Sequence, residues 1–158
     1  MIIPVNIKDD HWFAIVIKFG IKTIMVYDSL PDTATGREQY IRNVEDFLLK
    51  VEDEYKNKPN GSKWKENGMP EGKWKEIKCT EGSGRAPRQM EGSNDCGVHL
   101  CLFMDLLMKD LEPRLLIELT MNITRYGRYA LWQAIRTKKA LFGTSLLKND
   151  KLDVKRYN

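Results

Sequence analysis

The stretch DCGVHLCLFMDLLMKDLEP, residues 95–113, most limits how this chain can fold. It is apolar on nearly every side, so as a helix it has no face to give to water and must run through a core, with Pro113 as its stop. A helix buried all round needs material packed around it, and the first thirty residues supply it. IIPVNI, HWFAIVIKF and IKTIMVYDSL are rich in β-branched and aromatic residues and read as two or three adjacent strands with tight turns, Gly20 marking a hairpin. With 158 residues, 42% of them hydrophobic, the chain makes one domain with a real core.

Between the strands and the buried run, SLPDTATG supplies turn and cap residues. In the stretch that follows, Tyr40, Val44, Phe47, Leu48, Val51 and Tyr55 recur at three- and four-residue intervals, the pattern of an amphipathic helix. Residues 57–73, rich in Gly, Pro, Asn and Lys, read as an exposed loop insertion. Residues 74–79, WKEIKC, make a further strand, and TEGSGRAPRQMEGSN behind it holds too many turn formers to be regular. A last helix is expected over 124–141, around Tyr126, Tyr129, Leu131, Trp132 and Ile135, closing a domain over 1–142. Residues 143–158 form a polar tail. Strands and helices in this order give an α+β class: a small mixed sheet packed on the buried helix.

Charge adds exclusions. The net charge is only +4 and the Lys and Arg residues are spread along the chain, so no basic patch suggests nucleic acid. Charged residues interrupt every apolar run before the ~20 residues a bilayer span needs, and the start MIIPVNIKDDHW has no secretory signal pattern. The expectation is a soluble, monomeric, intracellular protein of nucleus or cytoplasm. In that reducing setting Cys79, Cys96 and Cys101 are all thiols.

One of those thiols sits where chemistry is expected. Cys96 falls where a loop becomes a buried helix, and the partial positive charge of a helix N-terminus stabilises a thiolate. Gly97, without a Cβ, leaves room for a substrate backbone beside the sulfur. Cys101, inside the apolar CLFM run, reads as core filler. Cysteine catalysis also needs a base and a group that orients it. His11 begins one strand and Asp28 ends the next; a turn at Gly20 places them about equally far from it, at one sheet edge, where imidazole and carboxylate can pair. Gln89, on the loop before Cys96, offers an amide N–H to an oxyanion. Taken singly, His11 fits a surface residue and Asp28 a strand end. Cys96 and His99 share a helical face, but no second ligand pair accompanies them, so neither a metal nor any other cofactor is expected.

These residues occur in a recognisable frame. IPVNIKDDHWFAIVI, IMVYDSL and PRQMEGSNDCGVHLCLFM resemble the His-Trp strand, the Asp strand, and the Gln loop with nucleophile helix of the ubiquitin-like-protein-specific cysteine proteases, which include SUMO proteases and deneddylases. The order His, Asp, Gln, Cys agrees as well. The resemblance covers about residues 2–110 and implies a papain-like fold of the adenain and ubiquitin-like-protease type. It implies Cys96 as nucleophile, His11 as general base and acid, Asp28 as orienting carboxylate and Gln89 as oxyanion donor. Trp12 would wall a narrow channel for the modifier's Gly-Gly tail. Gln89 stands one residue further from the cysteine than is usual in the family, a difference that a bulge in the Gly-Ser-Asn loop absorbs. The family's usual N-terminal segment, with its Trp-Leu-Asn-Asp-like motif, does not precede Met1, so an N-terminally shortened domain is expected. The implied activity is cleavage after the C-terminal Gly-Gly of a ubiquitin-like modifier of SUMO or NEDD8 type, SUMO being favoured, in deconjugation or precursor processing. The alternatives are a modifier-binding module with impaired turnover and a polyprotein-processing protease of viral or mobile-element type.

Overall fold

The computed structural model describes residues 1–8, 10–30, 36–57, 72–79, 86–90 and 92–113, together with 128, 129, 131, 132, 136 and 137. Four strands form one sheet in the order β1 (Ile2–Ile7), β2 (His11–Lys18), β3 (Thr23–Tyr27), β4 (Lys75–Cys79). The first three are antiparallel and β4 runs parallel to β3, so the sheet is mixed. Helix α1 (Arg37–Lys56) lies in sequence between β3 and β4, as a parallel pair requires, and helix α2 (Cys96–Leu107) follows β4.

Side-chain alternation divides the core into two layers. Ala14, Val16, Met25, Tyr27 and Cys79 pack with Leu100, Leu102, Phe103 and Leu106 of α2. Their neighbours Phe13, Ile15, Ile17, Ile24 and Val26 pack with Ile41 and Leu48 of α1. With both faces covered, every residue of β3 is buried, which explains its unbroken apolar sequence. Burying side chains as large as Phe13 or Phe103 contributes about 1.5–3 kcal/mol each.

The β2–β3 connection, expected as a hairpin turn at Gly20, is a four-residue loop in which Phe19–Ile21, Gly20 among them, form a 3-10 turn and Lys22 takes the left-handed conformation (φ 45°). Lys22 is held there by an ion pair to buried Glu52 of α1, 2.8 Å apart, and by donating a hydrogen bond to the Gly72 carbonyl. Helix α1 presents Arg37, Ile41, Leu48 and Glu52 inward, so Phe47 and Tyr55 of the expected apolar set are exposed. Phe47 lies about 100° around the helix from Leu48; it lines an open apolar groove against Met1, Ile3 and Val5. Helix α2 stops before Pro113. Asp110 (φ 55°) donates its N–H to the Leu107 carbonyl, and Leu111 donates to that of Leu106, a Schellman ending that satisfies carbonyls at the helix terminus. The strand expected over 74–79 begins at Lys75. Most of the 57–73 insertion, most of the last helix and the 143–158 tail lie outside the described residues.

Candidate active site

His11 and Asp28 meet at the end of the sheet by strand register. Ala14 pairs with Tyr27, so continuing the register sets Asp28 across from Phe13 and diagonally from His11, on the same face. His11 Nε2 lies 2.7 Å from Asp28 Oδ1, with His11 7% exposed and Asp28 fully buried. A carboxylate only accepts, so Nε2 carries the proton and Nδ1 is the ring nitrogen left for other chemistry. Phe13 backs the ring, the two planes stacked within 11°. Asp28 Oδ1 also accepts from the Leu30 N–H at 2.8 Å. Its Oδ2 lies 2.9 Å from Arg37 Nη1, and among the described residues no N–H is aligned on it as a hydrogen bond, so this contact is an ion pair held by charge.

Cys96 is the first residue of α2 and is 6% exposed. The preceding residue, Asp95, does not cap the helix with its side chain, which pairs instead with Arg128. The Asp95 side chain therefore does not occupy the first N–H groups of α2, and an anion at Cys96 would meet them together with the helix dipole. Among the described residues no hydrogen bond joins the Cys96 sulfur to His11; the ring is hydrogen-bonded to Asp28.

Gln89 is buried and bonded to Ser29, the residue after Asp28. Its N–H donates to the Ser29 carbonyl (3.0 Å), its Oε1 accepts from Ser29 Oγ (2.8 Å), and its Nε2 donates to the Ser93 carbonyl (2.8 Å). Between Gln89 and Cys96 the chain makes a turn: Ser93 donates to the Met90 carbonyl, Gly92 is left-handed (φ 72°), and Met90 points to solvent. Trp12, opposite in the strand alternation to His11, is 38% exposed. A Cβ built on Gly97 would stand 3.9 Å from its Cδ1, an ordinary contact, so the indole edge flanks the glycine without requiring it.

The other two cysteines differ from Cys96 in setting. Cys79 is fully buried in the sheet, and burial pushes the Cys101 thiol above its usual range. His99, one turn into α2, is a buried imidazole with no hydrogen-bond partner on either nitrogen among the described residues, and burial lowers its pKa to about 4. Its tilted packing on Phe103 fits the core role expected for it. Sequence reasoning missed Arg37 and Ser29: an arginine at a helix start and a serine after a strand carry no signal until the fold brings them to Asp28 and Gln89.

The profile of the Ulp1 protease family, C-terminal catalytic domain, matches residues 1–125. The chain belongs to the Ulp1 protease family. This is a family of cysteine proteases, and its catalytic-domain fold agrees with the α+β architecture found. A solved structure described as the SUMO protease Ulp1 with its catalytic cysteine oxidised to a sulfenic acid superposes with a TM-score of 0.59 at 20% identity. The match covers 89% of this chain and 53% of that one, so this Ulp1-family chain spans about half the length of its structural neighbour. None of the curated proteins matches it.

Proposed function

We propose that this chain is a cysteine peptidase that cleaves after the C-terminal Gly-Gly of a ubiquitin-like modifier of the SUMO type. It would work inside the cell, where its thiols stay reduced. The observation that carries the reading is the buried His11–Asp28 hydrogen bond, which leaves Nδ1 as the proton acceptor in a chain whose Cys96 opens a core helix. The family assignment and the printed description of the SUMO protease neighbour support the substrate class.

Cys96 gives its proton to His11 Nδ1, and the thiolate attacks the carbonyl carbon of the terminal glycine. The negative oxygen is received by N–H groups at the start of α2 and by the Gln89 amide. The C–N bond breaks as the imidazolium returns its proton to the leaving amine. Water, deprotonated by His11, then cleaves the thioester, releasing the modifier carboxylate and restoring the thiol. Asp28 keeps the ring in the required tautomer and balances its charge in each half of the cycle. Trp12, exposed next to Gly97, forms a flat wall that suits a glycine tail without side chains.

The test is cleavage of a Gly-Gly-linked SUMO fusion. Cys96→Ala is expected to abolish it and a propargylamide-tipped modifier to label Cys96; cleavage that survives the substitution would overturn the assignment.

A further inference from the structure

We propose that Arg37 is a positioning residue for catalysis, which holds Asp28 in the orientation that His11 needs and thereby ties helix α1 to the active site. This rests on the reading of His11 and Asp28 given above. Asp28 is fully buried, and burying a carboxylate is costly unless a cation or several donors stand against it. Oδ1 already serves the His11 ring and the Leu30 N–H. Arg37 faces the opposite oxygen at 2.9 Å and is itself only 3% exposed, so two buried charges of opposite sign compensate one another. Among described residues the charged or titratable groups in contact with Asp28 are His11 from β2 and Arg37 from α1.

The position follows from the backbone. Arg37 is the first residue of α1, and Gly36 before it takes φ 101°, a turn that a side chain would resist. The guanidinium thus enters from the opposite side of the carboxylate to the imidazole. With Oδ2 engaged, rotation of the carboxylate away from the ring breaks an ion pair as well as a hydrogen bond. Without Arg37 the buried carboxylate faces a neutral ring, and the negative field at the site increases.

Substitutions read through two assays separate this role from simple stability. The first is kcat and KM on a Gly-Gly-linked substrate. The second is the pH profile of Cys96 alkylation by iodoacetamide, followed by peptide mapping so that Cys79 and Cys101 do not contribute. R37Q is expected to lower kcat by about tenfold or more with KM little changed, since positioning acts on the reacting geometry. It should also move the acid limb of alkylation up by about half a pH unit, because the Asp28 charge beside His11 is no longer offset by a cation. R37K keeps the charge without the planar fork and is expected to fall between, about threefold below wild type. Folded R37Q with wild-type kcat and an unmoved alkylation profile overturns the proposal. If R37Q does not fold, R37K decides, and wild-type kcat in R37K overturns it. Wild-type protein that cleaves no modifier sinks the functional reading instead, and the alkylation profile still judges Arg37.

Discussion

Asp28 Oδ1 receives both the His11 ring, at 2.7 Å, and the Leu30 N–H, at 2.8 Å, so one oxygen fixes the imidazole and closes the turn that follows β3. The carboxylate is thus a fold element as well as the orienting group of the proposed mechanism. Asp28→Asn is expected to cut kcat by about a hundredfold or more, since an amide holds the ring tautomer less well. It should also destabilise the domain by about 3–5 kcal/mol, because Arg37 loses a buried counter-charge. Steady-state kinetics and urea unfolding read the two effects separately; an Asn variant with full kcat would remove Asp28 from the mechanism.

Gln89 is held at both ends of its amide, by Ser29 Oγ and by the Ser93 carbonyl, which leaves one Nε2 hydrogen for an oxyanion. Gln89→Leu is therefore expected to lower kcat by about a hundredfold while KM changes little. Ser29→Ala, which releases only the carbonyl end, should cost about tenfold in kcat and about 1 kcal/mol in stability. Equal losses in the two variants would point to loop collapse rather than a lost donor.

The Lys22–Glu52 pair is remote from the chemistry and nearly closed to solvent, its Nζ 2.8 Å from an oxygen that no N–H addresses in hydrogen-bond geometry. Glu52→Ala leaves a buried ammonium at a left-handed residue and is expected to destabilise by about 3–5 kcal/mol. Activity per folded molecule should be unchanged. Differential scanning calorimetry beside an active-site titration checks both; a loss of kcat in fully folded variant would mean that the loop communicates with the site.

What the sequence made legible follows from how local the signals are. The His11–Asp28 pairing could be read because two strands about one turn leave few registers. The turn does fall at Gly20, within the four residues 19–22, and the register depends on that loop length whichever of them is left-handed. The buried α2 was visible because its sequence has no polar face, but its end was not. A Schellman ending with Asp110, rather than glycine, gives no warning, and Pro113 drew attention past it. Arg37 and Ser29 were invisible for the opposite reason. Their roles arise only in tertiary contact, across 9 and 60 positions of sequence from Asp28 and Gln89 respectively.

His99 provides a pH test inside α2. Its ring is 1% exposed and neither nitrogen has a hydrogen-bond partner among the described residues, so protonation in the folded state is opposed by burial, and its pKa falls to about 4 from the usual 6.5. Asp95 acts the other way but more weakly. The unfolded chain therefore binds a proton more readily than the folded one between these two values. Stability from this group is intact above about pH 6.5 and declines as pH falls towards 4, by at most about 3 kcal/mol. His99→Leu, close in volume and free of polar atoms, is expected to raise stability at pH 7 by about 1–3 kcal/mol. It should also flatten the acid-side decline. Urea unfolding of both proteins from pH 4 to 8 gives the answer: parallel curves across that range would mean that the imidazole is not buried neutral as found here.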